Sequence, residues 1–244
     1  MTLAVRLRQV ALITPRIEDV AVALRDELGL EPGWTDPGVG VFGLENRVLS
    51  FGDCFLEVLA PLTGGTAGAR FVARHGEGGY MAIFQVAGRQ ELRRRLARLG
   101  VRIAWQVDLD HISATHLDPR DVPGAIVSLD WADPPSSWEW GGPAWRAGAP
   151  ARPAPDRGLV GLEVAVERPE AAARRWAEVL GDGARLSGAS VQLKAAGQAL
   201  DFRAIDRRPG IVACRLARPG PARSSTIGGV RFDSEPTDHD KEET

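Results

Sequence analysis

The strongest constraint on this chain is that it repeats itself. The segment running from Gln9-Val10-Ala11-Leu12 to Leu28-Gly29 lines up, at one constant offset, with the segment from Gly161-Leu162-Glu163-Val164 to Leu180-Gly181. Leu56-Glu57-Val58 corresponds to Leu200-Asp201-Phe202, and Gly79-Tyr80-Met81-Ala82 to Gly210-Ile211-Val212-Ala213. A chain built this way folds as copies of one supersecondary unit, each burying its apolar face against a neighbour.

The unit can be read from its periodicities. Residues 5–13 predict a strand, closed by Thr14-Pro15, and residues 16–28 carry apolar positions spaced for an amphipathic helix with Gly29 as its C-cap. Strands are predicted at about 40–44, 46–51 and 53–61, giving β-α-β-β-β over 5–61. The order recurs over 79–131, with a strand at 80–86, a helix at 89–99 that turns five Arg outward, and strands at 101–107, 111–117 and 125–131. A third, incomplete copy is expected over 158–218, with a strand at 159–166, a helix at 169–180 and strands at 191–194 and 198–205. Residues 132–157, rich in Pro and carrying Trp138, Trp140 and Trp145, read as a linker whose tryptophans pack in the core or line a cleft. The polar residues 219–244 read as a disordered tail. The fold class is therefore α+β, made of repeated βαβββ modules.

Within this frame Glu57 stands out. In the strand Asp53-Cys54-Phe55-Leu56-Glu57-Val58-Leu59-Ala60-Pro61 side chains alternate, so Glu57 shares a face with Phe55 and Leu59. A carboxylate inside an apolar strand is costly unless it is paired, hydrogen-bonded or metal-bound. Arg47 and Arg102, on neighbouring predicted strands, are candidate ion-pair partners.

Composition excludes several classes. A net charge of −2 gives no bulk attraction to nucleic acid, and the Arg-rich helix lacks interleaved aromatics. The two cysteines, Cys54 and Cys214, are too few and too distant for a disulfide framework or a zinc cluster, and read as reduced core residues of a cytoplasmic protein. No apolar run approaches membrane-spanning length, and the N-terminus has no signal-peptide pattern. Gly64-Gly65-Thr66-Ala67-Gly68 lacks the lysine of a phosphate loop, and no serine sits in a nucleophile elbow.

The repeated βαβββ units resemble the vicinal oxygen chelate superfamily, nearest its glyoxalase-like domain proteins, on Gln9-Val10-Ala11-Leu12, Phe55-Leu56-Glu57-Val58 and Asp118-Pro119-Arg120-Asp121-Val122-Pro123-Gly124. The resemblance covers 5–131 and, more loosely, 158–218. It implies paired modules curled around a cleft, with residues 1–131 as the glyoxalase-like domain. It also implies a divalent metal (Zn, Ni, Mn, Fe or Mg) held by the first and last strands of two modules, and often a homodimer. Gln9 and Glu57 match the ligand positions of the first module. In the second, Tyr80 stands where a His is usual and Ser128 where a Glu is usual. His116, His111 or His75 would supply an imidazole instead, and Asp201 or Glu163 a carboxylate if the first and third modules pair.

Two functions follow. One is a metal-assisted lyase, isomerase or dioxygenase acting on a small oxygenated substrate, with Glu57 as ligand or base, Gln9 as ligand and His116 as ligand or acid. The other is a metal-free binding protein of the bleomycin-resistance type. There the cleft would hold a small aromatic molecule against Tyr80, Trp105, Ser128, Trp131 and the linker tryptophans.

Overall fold

The computed structural model describes residues 5–31, 33–143 and 157–236. The first module runs β1 (Val5–Ile13), α1 (Ile17–Leu28), β2 (Leu44–Phe51) and β3 (Cys54–Pro61). The strand expected at 40–44 is mostly taken up by a 3-10 turn, Pro37–Phe42, and the missing strand is reduced to a single bridge between Trp34 and Val48. Three glycines and a proline within 37–43 favour a tight turn over an extended run. After α2 (Ala67–His75) the second module follows: β4 (Gly78–Val86), α3 (Arg89–Arg98), β5 (Ile103–Asp108), β6 (Ile112–Leu117) and β7 (Ile126–Ala132).

The third module is complete, not truncated. It comprises β8 (Gly158–Val166), α4 (Pro169–Leu180), β9 (Ala184–Ser187), β10 (Ser190–Leu193) and β11 (Gln198–Ala204). A fourth, helix-free copy then begins at β12 (Gly210–Arg218) and ends in a hairpin, β13 (Arg223–Ile227) and β14 (Val230–Pro236). The disordered tail expected from 219 is therefore wrong over 223–236. Gly228 and Gly229, at φ 53° and 72°, make the two-residue turn that suits a tightly twisted hairpin. Alternation then buries Val230, Phe232 and Ser234, and β14 pairs in parallel with β12. The remaining tail, 237–244, and Trp145 of the expected linker lie outside the described residues.

The strands form one continuous curled sheet whose spine runs β2-β3-β1-β4-β12-β8-β11-β10-β9. β7, β6 and β5 branch from β4, and β14 and β13 branch from β12. The first and second modules pair through antiparallel β1 and β4, and the third and fourth through antiparallel β8 and β12. The first module thus does not pair with the third. The two halves meet where Ile211 opposes Gly79.

Period-2 alternation sorts the sheet residues between two layers. Val10, Leu12, Leu56 and Val58 join the larger core with Leu24, Leu92 and Trp176 of the helices α1, α3 and α4. Ala11, Ile13, Phe55 and Leu59 face the other way, into a smaller layer with Tyr80, Met81, Ile83 and Trp138. α2 comes close to this second face because Gly68 has no side chain: a Cβ there would lie 2.8 Å from Ile13 and Leu44 atoms. Among the described residues no helix is long and apolar enough to cross a membrane.

Candidate functional site

The concave face of the first two modules encloses a cavity of about 510 Å³, within the usual range for small-molecule sites. Four predicted site residues from four strands line it: Gln9 on β1, Glu57 on β3, Tyr80 on β4 and His116 on β6. Trp105 of β5 lines it as well, as does Trp140 from the segment expected to be a linker.

Glu57 is buried and accepts hydrogen bonds on both oxygens. Gln9 Nε2 donates to Oε2 at 2.9 Å, and Asn46 Nδ2 donates to Oε1 at 2.6 Å. The orientation of each amide is fixed from behind. The fully buried Trp138 indole N–H donates to Gln9 Oε1 at 2.9 Å, and the Asp36 backbone N–H donates to Asn46 Oδ1 at 2.8 Å. Neither amide can turn its oxygen toward Glu57 without setting one donor against another. Neutral donors compensate burial only in part, and desolvation pushes the Glu57 carboxyl up to about 7.

Neither expected arginine reaches Glu57. Strand alternation turns Arg47 away from the cleft face that Asn46 and Val48 share, and it pairs with Glu18. Arg102 forms a two-point pair with Asp121.

A second carboxylate lies in the same cavity. Asp130 of β7 is buried and lines the wall, and burial raises it to about 7, with the nearby Glu57 charge adding to the rise. It accepts the Ser128 hydroxyl hydrogen bond. The Trp140 indole N–H lies toward it without closing a bond of ordinary geometry. The sequence places Ser128, not a carboxylate, at the position where the resemblance expects a Glu. The signal was two residues further on the same strand, and therefore on the same face. Ser128 itself is fully buried beneath the wall, hydrogen-bonded to Asp130, and does not line the cavity.

The opposite wall is aromatic. His116 packs against Trp105 with ring centroids 4.7 Å apart and against Phe42 at 5.7 Å, and Phe42 meets Trp105 edge-on at 5.0 Å. Burial lowers the His116 imidazole to about 4, so it is neutral near pH 7. Tyr80 meets Phe71 edge-on, and burial raises its phenol above the ordinary value, so it stays protonated.

The remaining candidates lie elsewhere. Trp131 is on the opposite face of β7 from Asp130, packed on the larger core with the Arg89 guanidinium 4.7 Å above its ring. His111 is exposed, and His75 packs against Phe71 on α2. Glu163 pairs with Arg203 and Arg231, and Asp201 with Arg215, in the other half of the sheet.

These donors do not fit a divalent metal. Gln9 would have to break its bonds to both Trp138 and Glu57 to present its oxygen. Tyr80 is held as a phenol, and the Ser128 hydroxyl is committed to Asp130. Among the described residues no three His, Cys, Asp or Glu side chains converge as a ligand cluster.

Comparison with known proteins agrees with the architecture. A family model described as Glyoxalase-like domain matches residues 10–180. No curated protein matches the chain. A hypothetical protein from Staphylococcus aureus superposes over 96% of this chain and 99% of its own, with a TM-score of 0.69 at 9% identity. Methylmalonyl-CoA epimerase from Streptomyces coelicolor, in a variant bound to 2-nitronate-propionyl-CoA, is similar over 53% of this chain and 98% of its own, at 20% identity and a TM-score of 0.48. The epimerase from Mycobacterium tuberculosis is similar over 52% and 87%, at 19% identity and a TM-score of 0.46.

Proposed function

The chain belongs to the glyoxalase-like domain family, of the vicinal oxygen chelate fold, and on that premise we propose that it binds a small, flat, largely apolar molecule in the cleft of its first two modules without using a metal. The observation that carries this reading is the hydrogen-bond relay Trp138 to Gln9 to Glu57. It joins Gln9 to Glu57, the two residues the resemblance offered as ligands, beside an apolar cavity walled by Trp105, His116 and Phe42. Aromatic walls of this kind bind ring systems by stacking and edge contacts, each contributing on the order of 1 kcal/mol beyond burial.

Two measurements test it together. Elemental analysis of the purified protein, and again after incubation with mixed divalent ions and desalting, is expected to find well under one equivalent. Tryptophan fluorescence is expected to be quenched by two-ring aromatic compounds, and Trp105→Ala to weaken that binding. A stoichiometric metal lost in Glu57→Ala would refute the proposal.

A second reading is favoured by one feature: two buried carboxyls that both titrate near neutrality. Such a pair can pass a proton between a base and an acid across a bound carbon acid. Exchange of a ligand C–H for deuterium, catalysed by the wild type and lost in Asp130→Asn, would move the assignment from binding to isomerisation.

A further inference from the structure

The charge of the cavity wall is one-sided. Three carboxyls line it, Asp36, Glu57 and Asp130, and among the described lining residues there is no arginine or lysine. This occurs in a chain with 30 basic residues, all but two of them arginine. The buried Arg8 guanidinium does not line the cavity; it is tied to Asp53 and Gln85 and lies over the Phe55 and Trp138 rings. His116 and Tyr80 add no positive charge near neutral pH.

We propose that the ligand of this cleft is an organic cation: an aromatic or alicyclic amine whose ammonium group reaches Glu57 and Asp130 while its ring system lies against Trp105, Phe42 and His116. The inference rests on the small-molecule reading above and names its ligand class. Two buried acids in a wall that is otherwise largely apolar and aromatic complement a protonated amine on a hydrophobic frame. The charge is met by carboxylates and the frame by aromatic faces, which also attract cations. An anionic ligand such as a carboxylate or phosphate ester would enter a low-dielectric site against like charge and without a basic partner. Both acids titrate near 7, and an ammonium favours their ionised forms, so amine binding is expected to release protons to solvent near neutral pH.

The test uses three compounds of one shape: tryptamine (cation), tryptophol (neutral) and indole-3-acetate (anion), titrated calorimetrically into the full-length protein at pH 7.5. Tryptamine is expected to bind at least tenfold tighter than tryptophol, with indole-3-acetate weakest. In Asp130→Asn the tryptamine-to-tryptophol ratio is expected to fall toward one. Tryptophol binding as tightly as tryptamine, or indole-3-acetate tighter than either, would overturn the amine inference and leave the small-molecule reading standing. If none of the three binds, both fall. Full retention of the preference in Asp130→Asn would overturn the role given to the carboxyl pair. Should that variant not fold, the ordering of the three compounds on the wild type still decides the inference.

Discussion

Glu57→Gln is close to isosteric, yet the relay around Glu57 makes it informative. A protonated carboxyl still accepts on both oxygens, so wild-type Glu57 satisfies Gln9 and Asn46 whether neutral or ionised. Glutamine at 57 accepts on one oxygen only, and its own NH2 must face one of the two amide donors. Turning Gln9 relieves that clash but sets its NH2 against the Trp138 N–H; turning Asn46 sets it against the Asp36 N–H. One buried polar group remains unsatisfied in every arrangement, a cost of about 1 to 3 kcal/mol.

The charge acts with the opposite sign. The folded-state carboxyl titrates at about 7 against an ordinary value of 4.5, so the folded chain keeps its proton where the unfolded chain releases it. Wild-type stability from this group is therefore fully present below about pH 4.5 and declines as pH rises toward 7 and above. At 1.36 kcal/mol per pH unit, the loss between pH 5 and pH 8 is about 2 to 3 kcal/mol. Glutamine has no such loss. In urea unfolding followed by tryptophan fluorescence, Glu57→Gln is expected to be the less stable protein at pH 5 and to equal or exceed the wild type at pH 8. A stability deficit that is the same at both pH values, or larger at pH 8, would refute the relay as the account of Glu57.

Trp138→Phe removes the donor that locks Gln9 and should cost about 1 to 3 kcal/mol alone, but in combination with Glu57→Gln it frees Gln9 to turn; a double-mutant cycle should show that the two costs do not add. The His116 ring should show no protonation by NMR between pH 8 and 5.5, and Phe42→Ala, which opens its stack to water, should move its midpoint up toward 6.5. A chain ending at Arg218 loses Ile227, Val230 and Phe232 from the core, each side chain contributing about 1.5 to 3 kcal/mol, and should fail to unfold cooperatively; a dispensable tail would leave the denaturation midpoint unchanged.

Much of this protein is local and hence legible in its letters. The module repeat, β1, α1 with its Gly29 cap, and the placement of Gln9 and Glu57 on one face all follow from 3.6- and 2-residue periods and from turn chemistry. The hairpin over 223–236 was also legible, since Gly228-Gly229 between alternating apolar residues is a turn signal, but a polar composition masked it. Asp130 lies one side-chain period beyond Ser128, on the same face of β7.

What the sequence could not decide is which distant groups meet. The partner of Glu57 was expected among arginines because charge complementarity is visible in a sequence. The partners are amides, oriented by an indole 129 residues from Gln9 and a backbone N–H 10 residues from Asn46. Likewise the pairing of the first module with the second, and of the third with the fourth, rests on inter-strand hydrogen bonds that no single module specifies. Sequence alone determined the units and the faces they present. Only the curled sheet, by bringing its first seven strands around one cavity, decided that Gln9 and Glu57 hydrogen-bond each other and that two acids share an apolar room.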